Sequence, residues 1–215
     1  MYETLAGVYR FLAPPGGPVV PDGLGPGTRV LDCACGTGEL AVALALRGCD
    51  VRASDASPAM VERARALAVA RGADAAFEVR RWEDLEPAAD RDATFCVGNS
   101  LVHAPDRRAA LEAMAATLAP GGVLWVTSRN WETLDTRLSV QLVDGAVVVR
   151  AWALAEHAMD VAVILGDSVH QERLEVWPFT HEELLADLRA AALEVLQDGW
   201  RPDADRYLVT ARRRA

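Results

Sequence analysis

The sequence lacks the groups of cysteine and histidine that a zinc site requires. Its 4 cysteines and 4 histidines are scattered, and no Cys-x-x-Cys pair occurs. We therefore expect no metal site. The cysteines lie in apolar stretches, which favours buried, reduced thiols in a cytoplasmic protein. They are Cys33, Cys35, Cys49 and Cys96.

A signal peptide and a long apolar run are also missing, so we expect no membrane partner and a cytoplasmic location. Positive charge is scarce, with 22 basic against 31 acidic side chains and a net charge of −9. Because such a surface repels phosphate backbones, nucleic acid is not an expected partner. The expected partner is a small molecule, and the expected assembly is a monomer or a homodimer.

The chain has 215 residues, of which 51% are apolar, enough for the core of one domain over 1–215. Strand-like and helix-like segments alternate through its first 130 residues. Predicted strands are 28–33, 50–54, 75–80, 94–98 and 123–128, with closing strands near 194–198 and 206–211. Predicted helices are 39–47, 58–71 and 107–118. This order predicts an α/β fold with a doubly wound, mostly parallel seven-stranded sheet, which binds ligands at the carboxyl ends of its strands.

Two segments depart from the alternation. Residues 1–27 combine a short predicted helix over 1–12 with a stretch rich in Pro and Gly over 13–27, and we expect them to form an arm or lid. Residues 136–178 contain four strand-like runs with a hairpin signal at Asp144-Gly145. They predict an antiparallel insertion after the fifth strand, on the substrate side. Thr180 and Glu183 then form a capping box for a helix over 181–193.

A glycine turn between the first strand and the first helix is the main candidate site. Gly36 and Gly38 allow close approach to the backbone, and the helix start offers free N–H groups. The same spacing fits a dinucleotide fingerprint, so an NAD-dependent dehydrogenase is an alternative. Another alternative is a purely structural turn that packs the helix on the strand and binds no ligand. Asp32 argues against a pyrophosphate and suits a ligand with an ammonium group, while Asp55 is placed to accept ribose hydroxyls.

With these residues the sequence resembles the class I S-adenosylmethionine-dependent methyltransferases. Within them it is similar to the glycine N-methyltransferase group and related small-molecule N-methyltransferases, over roughly residues 28–135. The motifs are Val30-Leu31-Asp32-Cys33-Ala34-Cys35-Gly36-Thr37-Gly38, Ser54-Asp55-Ala56-Ser57, Arg81-Trp82, Cys96-Val97-Gly98-Asn99-Ser100-Leu101-Val102-His103, Ala119-Pro120-Gly121-Gly122 and Arg129-Asn130-Trp131.

The resemblance implies S-adenosylmethionine as cofactor and S-adenosylhomocysteine as product. Implied contacts are Asp32, Ala34, Gly36 and Gly38 at the methionine end, Asp55 at the ribose, Ala56, Met60 and Trp82 at the adenine, and Val97, Gly98, Asn99 and Ser100 beside the sulfonium. It also implies that His103 lies near the cofactor and that Arg129 holds a substrate carboxylate. Arg81 departs from the group, which has Asn or Asp there, and the N-terminal region is shorter.

The implied reaction is an in-line displacement that needs alignment and no metal. An amine acceptor must first lose a proton, and the candidate bases are His103, Tyr2 and Tyr9. The leading hypothesis is methylation of the nitrogen of a small amine or amino acid. Alternatives are methylation of an oxygen or carbon of a natural product, and a cofactor-binding protein without turnover.

Overall fold

The computed structural model describes residues 2–13, 20–134 and 137–214. Residues 14–19 of the Pro- and Gly-rich stretch, and residue 136 at the start of the predicted insertion, lie outside the described residues. The strands are β1 (Arg29–Asp32), β2 (Asp50–Asp55), β3 (Ala75–Val79), β4 (Arg91–Cys96), β5 (Leu118–Arg129), β6 (Leu138–Val143), β7 (Ala146–Ala153), β8 (Ala158–Leu165), β9 (Ser168–Glu175), β10 (Leu193–Asp198) and β11 (Arg206–Arg213). The α-helices are α1 (Glu39–Leu46), α2 (Pro58–Arg71), α3 (Arg107–Thr117) and α4 (His181–Ala190).

Seven strands form one sheet in the order β10-β11-β5-β4-β1-β2-β3. The five strands β1 to β5 are parallel, and β11 runs antiparallel between β5 and β10. The order reverses at β1, so that β4 lies on one side of it and β2 on the other. In doubly wound sheets the crevice at such a reversal is the usual place of the ligand. The predicted fold class is confirmed.

The helix ends follow the local chemistry of the sequence. Ser57 caps α2 by accepting the Met60 N–H at 3.2 Å, Pro58 takes the first position, and Gly72 ends the helix at φ +63°. Thr180 and Glu183 form the predicted capping box of α4. That helix ends at Ala190, three residues earlier than predicted, because Ala192 adopts φ +58° and Leu193 already belongs to β10.

The second sheet is the predicted antiparallel insertion, a meander in the order β6-β7-β8-β9. Asp144 and Gly145, both at positive φ, form the two-residue turn between β6 and β7. One face of this sheet is buried through Val148, Val161 and Leu174. These side chains join the core on the side of the main sheet that also carries α3 and α4. The insertion is therefore packed onto the domain and does not stand apart from it.

Other predicted elements differ from those of the structure in type or in bounds. The N-terminal helix is a short 3-10 turn, Ala6–Phe11, which buries Val8 and Phe11 in the same core. Residues 119–122, predicted as a turn before the fifth strand, lie within β5. Leu118 already pairs with Arg91, and pairing resumes at Val123 with Ala93, so these residues form a bulge. β4 correspondingly begins at Arg91 and not at residue 94.

The other side of the main sheet is covered by α1 and α2, which share a smaller core. In the part of the chain that the structure describes, no helix is both long and apolar enough to span a membrane. Gly38, at the start of α1, lies between these helices. A Cβ on Gly38 would meet the Ala64 Cβ at 2.7 Å and the Phe77 ring at 3.3 Å. Glycine at this position therefore permits close packing of α1 on α2.

Alanine substitutions at two glycines of similar φ distinguish the cost of backbone strain from the cost of a steric clash with the core. Gly38 has φ +88°, and Gly145 has φ +81° with no neighbouring atom near its would-be Cβ. We expect Gly145→Ala to lower the free energy of unfolding by about 1–2 kcal/mol, through backbone strain alone. Gly38→Ala should cost about 1–3 kcal/mol more because the core is overpacked. Urea unfolding of both variants measures this, and equal losses would contradict the packing role of Gly38.

Candidate functional site

A cavity of about 250 Å³ opens at the carboxyl ends of β1 and β2, where the strand order reverses. We call it the strand-end cavity. Several of the residues predicted as cofactor contacts line it, together with others from the same sheet edge, from β9 and from the N-terminal segment. Its lining is Tyr2, Cys33, Ala34, Asp55, Ala56, Ser57, Arg80, Arg81, Trp82, Glu83, Ser100, His103, Pro105 and Glu175.

The Asp55 carboxylate, at the end of β2, joins two backbone turns at this cavity. One oxygen accepts the Gly36 N–H at 2.9 Å and the other accepts the Ser57 N–H at 2.9 Å. Burial raises the pKa of Asp55 above its usual value, and the two N–H bonds oppose that rise. Each oxygen keeps a lone pair free for a further donor such as a ribose hydroxyl.

Asp32 lies one strand away, is only 1% exposed and is not among the residues that line the cavity. Its Oδ1 has no hydrogen-bond partner among the described residues, which is rare for a buried carboxylate oxygen. Burial raises the pKa of Asp32 to about 7, although the Ala34 N–H favours the charged form. An ammonium group brought to this oxygen would supply the missing partner.

The glycine turn shapes the cavity without lining it directly. Gly36 has φ +53°, and a Cβ there would touch the Tyr9 ring at 3.7 Å. Gly38 packs against Ala64 as described and is not among the lining residues. Met60 is buried in the core behind the turn and does not line the cavity. Val97 likewise lies outside the lining, and its carbonyl accepts the Ser100 hydroxyl at 2.7 Å.

Trp82, in the loop after β3, also lines the cavity. Its indole N–H donates to the Cys33 carbonyl at 2.8 Å, which ties the loop after β3 to the end of β1. Arg81, which departs from the family pattern, is paired with Glu83 and largely exposed. Arg81 nevertheless contributes to the lining of the cavity.

His103 and Tyr2 form a hydrogen-bonded pair at the inner end of the cavity. The His103 Nδ1 lies 2.6 Å from the Glu175 carbonyl oxygen, so Nδ1–H is the donor there. The lone pair of Nε2 then accepts the Tyr2 hydroxyl at 3.1 Å. Burial lowers the pKa of His103. The imidazole is thus held as a neutral ring in one tautomer by a backbone carbonyl of the insertion.

The N-terminal segment closes over this region. Glu3 accepts the Ser57 hydroxyl at 2.7 Å, and the Thr4 N–H donates to Glu172 of β9 at 3.0 Å. These contacts carry Tyr2 and Tyr9 to the centre of the site, where their rings meet edge to face. Burial raises the pKa of Tyr9 to about 12 and raises that of Tyr2 further, so both phenols are protonated.

A second cavity of about 70 Å³ adjoins the first and shares Tyr2 with it. We call it the arginine cavity. It lies between the end of β5, the insertion sheet and the N-terminal segment, and it contains the remaining predicted residues Tyr9, Gly98, Asn99 and Arg129. Its other lining residues are Leu12, Trp131, Arg150, Trp152, Met159, Val161 and Arg206.

The turn between the two cavities is fixed by hydrogen bonds. The Asn99 side-chain oxygen accepts the Arg129 N–H at 2.8 Å, and the Gly98 N–H donates to Thr127 at 2.8 Å. Asn99 itself has φ +70°. Sequence reasoning missed Arg150 and Arg206 in this cavity, since neither lies in a motif and both reach it through the folding of distant segments.

Comparison with known proteins agrees with this geometry. A family model described as methyltransferase domain matches residues 30–122. A ubiquinone biosynthesis O-methyltransferase of Xylella fastidiosa is 34% identical over 192 residues, which cover 86% of this chain and 70% of the relative.

Solved structures show the same architecture. An S-adenosylmethionine-dependent methyltransferase from Clostridium acetobutylicum superposes with a TM-score of 0.79, at 17% identity and coverage of 87% and 85% of the two chains. An amino pentose methyltransferase from Micromonospora echinaspora, solved with S-adenosylmethionine bound, is 25% identical with a TM-score of 0.66. The superposition covers 99% of this chain and 92% of the amino pentose methyltransferase chain.

The chain therefore belongs to the class I S-adenosylmethionine-dependent methyltransferases, and it is an enzyme that uses S-adenosylmethionine. The residues present fit this cofactor. The strand-end cavity offers an acid for a ribose, and the orphaned Asp32 oxygen offers an acceptor for the ammonium group of a methionine.

The buried Asp32 predicts a pH-dependent affinity for the cofactor. With a pKa of about 7, Asp32 is mostly protonated below pH 7 in the free protein, and binding an ammonium group requires it to be ionised. The affinity for S-adenosylhomocysteine should thus fall as the pH drops from 8 to 6, with release of a proton on binding near pH 7. Calorimetry across this range measures both effects.

Asp32→Asn should bind more weakly at pH 8 and lose most of this pH dependence. Asp50→Asn, at the exposed start of β2, is the matched control and should behave as the unchanged protein. A pH profile that survives in Asp32→Asn would assign the titration to another group.

Proposed function

We propose that this enzyme methylates the nitrogen of a small-molecule amine or amino acid, by in-line displacement. The observation that carries the proposal is the junction of the two cavities at Tyr2 and the turn of residues 98–100. A cofactor held in the strand-end cavity by Asp32 and Asp55 would direct its sulfonium end toward this junction. An acceptor in the arginine cavity would then approach from the opposite side.

Each end of the cofactor has matching residues on this chain. Asp32 and the Ala34 backbone would hold the methionine part, Asp55 the ribose, and Ala56 with Trp82 the adenine. When bound, S-adenosylmethionine supplies an electrophilic methyl group. The chain itself needs only to align the acceptor and exclude water, which lowers the barrier by several kcal/mol in well-oriented reactions. The N-terminal segment, which bridges Ser57 and Glu172, is suited to act as the lid.

The groups around the junction favour nitrogen as the acceptor atom. Tyr2 and Tyr9 hold their protons because burial raises the pKa of both, and His103 is a weakened base because burial lowers its pKa. An amine has only to be neutral to react. Nearby guanidinium groups lower the pKa of a bound ammonium and thereby favour its neutral, nucleophilic form. His103, through Tyr2, is the group placed to take up the released proton.

A phenolic oxygen is the second candidate acceptor. Its support is the relative named ubiquinone biosynthesis O-methyltransferase, which is 34% identical. The solved amino pentose methyltransferase, in contrast, supports a nitrogen acceptor. The same guanidinium groups would favour a phenolate, but its formation would depend more strongly on His103 as a base.

The acceptor atom is identified by methyl transfer from cofactor labelled with ¹³C in its methyl group. We expect a panel of amines, amino acids and phenols to give labelled N-methyl products, recognised by their carbon chemical shift. His103→Gln should lower kcat by less than the ~10²–10⁴-fold typical of general base catalysis, because the amine reacts once neutral.

Binding of S-adenosylhomocysteine to His103→Gln, measured by calorimetry, controls for intact folding. Exclusive formation of O-methyl product, with a loss of kcat within that range in His103→Gln, would replace the proposal by the phenol alternative. Tight cofactor binding without transfer to any acceptor would favour a cofactor-binding protein without turnover.

A further inference from the structure

Three guanidinium groups meet at the arginine cavity from separate parts of the chain. Arg129 ends β5, Arg206 begins β11, and Arg150 lies on β7 of the insertion. Arg129 and Arg206 are direct partners in the antiparallel pairing of β5 with β11. Like charges placed directly opposite on neighbouring strands are destabilising. Such a pair, joined by a third arginine, calls for a compensating interaction.

Within the described ranges of the chain no carboxylate forms an ion pair with these guanidinium groups, and Asp205, the chain neighbour of Arg206, attracts that side chain without pairing with it. Arginines elsewhere do form ion pairs with acids, such as Arg29 with Asp92 and Arg107 with Asp187. The protein has more acids than bases, so the unpaired cluster does not result from a shortage of acidic side chains.

The neutral contacts of the cluster are few. Arg150 donates to the Gln141 side-chain oxygen at 2.9 Å and to the Leu12 carbonyl at 3.4 Å. The Arg129 guanidinium lies over the Trp152 ring at 5.8 Å from its centroid. Partial burial and repulsion from Arg129 and Arg206 lower the pKa of Arg150, and the pKa of Arg206 is also lowered although that residue is exposed to solvent. The three like charges therefore repel one another, and solvent screens this repulsion at the exposed Arg206.

The remaining walls are mainly aromatic and apolar, and they include Trp131 and Trp152. The indole N–H groups of Trp131 and Trp152 are buried without a partner among the described residues. An unpartnered buried donor is itself unfavourable. Leu12, Met159 and Val161 complete the lining. A ligand that satisfies this cavity must be rich in acceptor oxygens and negatively charged, and small enough for about 70 Å³.

We propose that the arginine cavity binds an oxyanion with at least two negative charges, of the phosphate monoester class, carried by the methyl acceptor. This inference rests on the proposed function, since it requires the acceptor to lie in this cavity. A single carboxylate would offset only one of three cations. A phosphate has oxygens that can accept hydrogen bonds from several guanidinium groups at once.

The probe is inorganic phosphate, titrated by calorimetry in the presence of S-adenosylhomocysteine at constant ionic strength. We expect phosphate to bind at least tenfold more tightly than acetate at pH 8. Arg150→Gln and Arg206→Gln should each weaken phosphate binding at least tenfold and leave the affinity for S-adenosylhomocysteine unchanged. Arg71→Gln, at the exposed end of α2, is the matched control and should bind phosphate as the unchanged protein does.

Arg206→Gln keeps the test independent of folding. The Arg206 side chain makes no hydrogen bond or ion pair within the described part of the chain, and its removal relieves repulsion from Arg129. This variant should consequently melt no lower than the unchanged protein without phosphate. Addition of phosphate should raise its melting temperature less than that of the unchanged protein.

The outcomes separate this inference from the proposed function. Phosphate binding no tighter than acetate, or equal phosphate binding in both cluster variants and the control, would overturn the inference. The proposed function would stand if labelled methyl groups still reach uncharged amines. Tight phosphate binding that depends on the arginines, in an enzyme that forms only O-methyl products, would support the anion site and contradict the nitrogen acceptor.

Discussion

The two hydrogen bonds of the Asp55 carboxylate hold together the part of the molecule on which the site depends. They connect the Gly36 N–H of the turn after β1 with the Ser57 N–H at the start of α2. Ser57 in turn caps α2 and donates to Glu3 of the N-terminal segment. One buried acid thereby sets the relative position of the glycine turn, a helix start and the segment that covers the site.

The strand-end cavity is lined by acids together with Arg80 and Arg81, whereas the charged residues that line the arginine cavity are all arginines. Asp32 and Asp55 lie at the strand ends, and Arg129, Arg150 and Arg206 surround the neighbouring cavity. The uncharged pair of Tyr2 and His103 stands where the cavities meet. A cationic amino-acid group and an anionic acceptor would therefore be drawn to opposite sides of one junction. Binding on opposite sides of the junction orients the two reactants without a covalent bond to the protein. A direct displacement requires this orientation.

Several groups of the site are energetically unfavourable, and packing elsewhere in the domain stabilises the fold that contains them. Asp32 has an unpartnered oxygen, and two indole N–H groups of the arginine cavity are unpartnered as well. The apolar cores on both faces of the main sheet, together with the insertion packed on one of them, hold these unfavourable groups in place. Local strain and unmet hydrogen bonds of this sort are common where a protein is preorganised for a ligand.

The parallel sheet, the capped helices and the hairpin at Asp144-Gly145 could be predicted from the sequence, because these follow from local periodicity, capping and turn preferences. The sequence also indicated the Asp32, Asp55 and Asn99 region through motifs contiguous in the chain. The bulge over residues 119–122 escaped it, since Pro-Gly-Gly reads as a turn unless the pairing of Leu118 with Arg91 is known. The packing role of Gly38 and the convergence of Arg150 and Arg206 on Arg129 were decided only by the tertiary structure. Each depends on contacts between residues far apart in the chain, and local sequence carries no record of which distant side chain will be the neighbour.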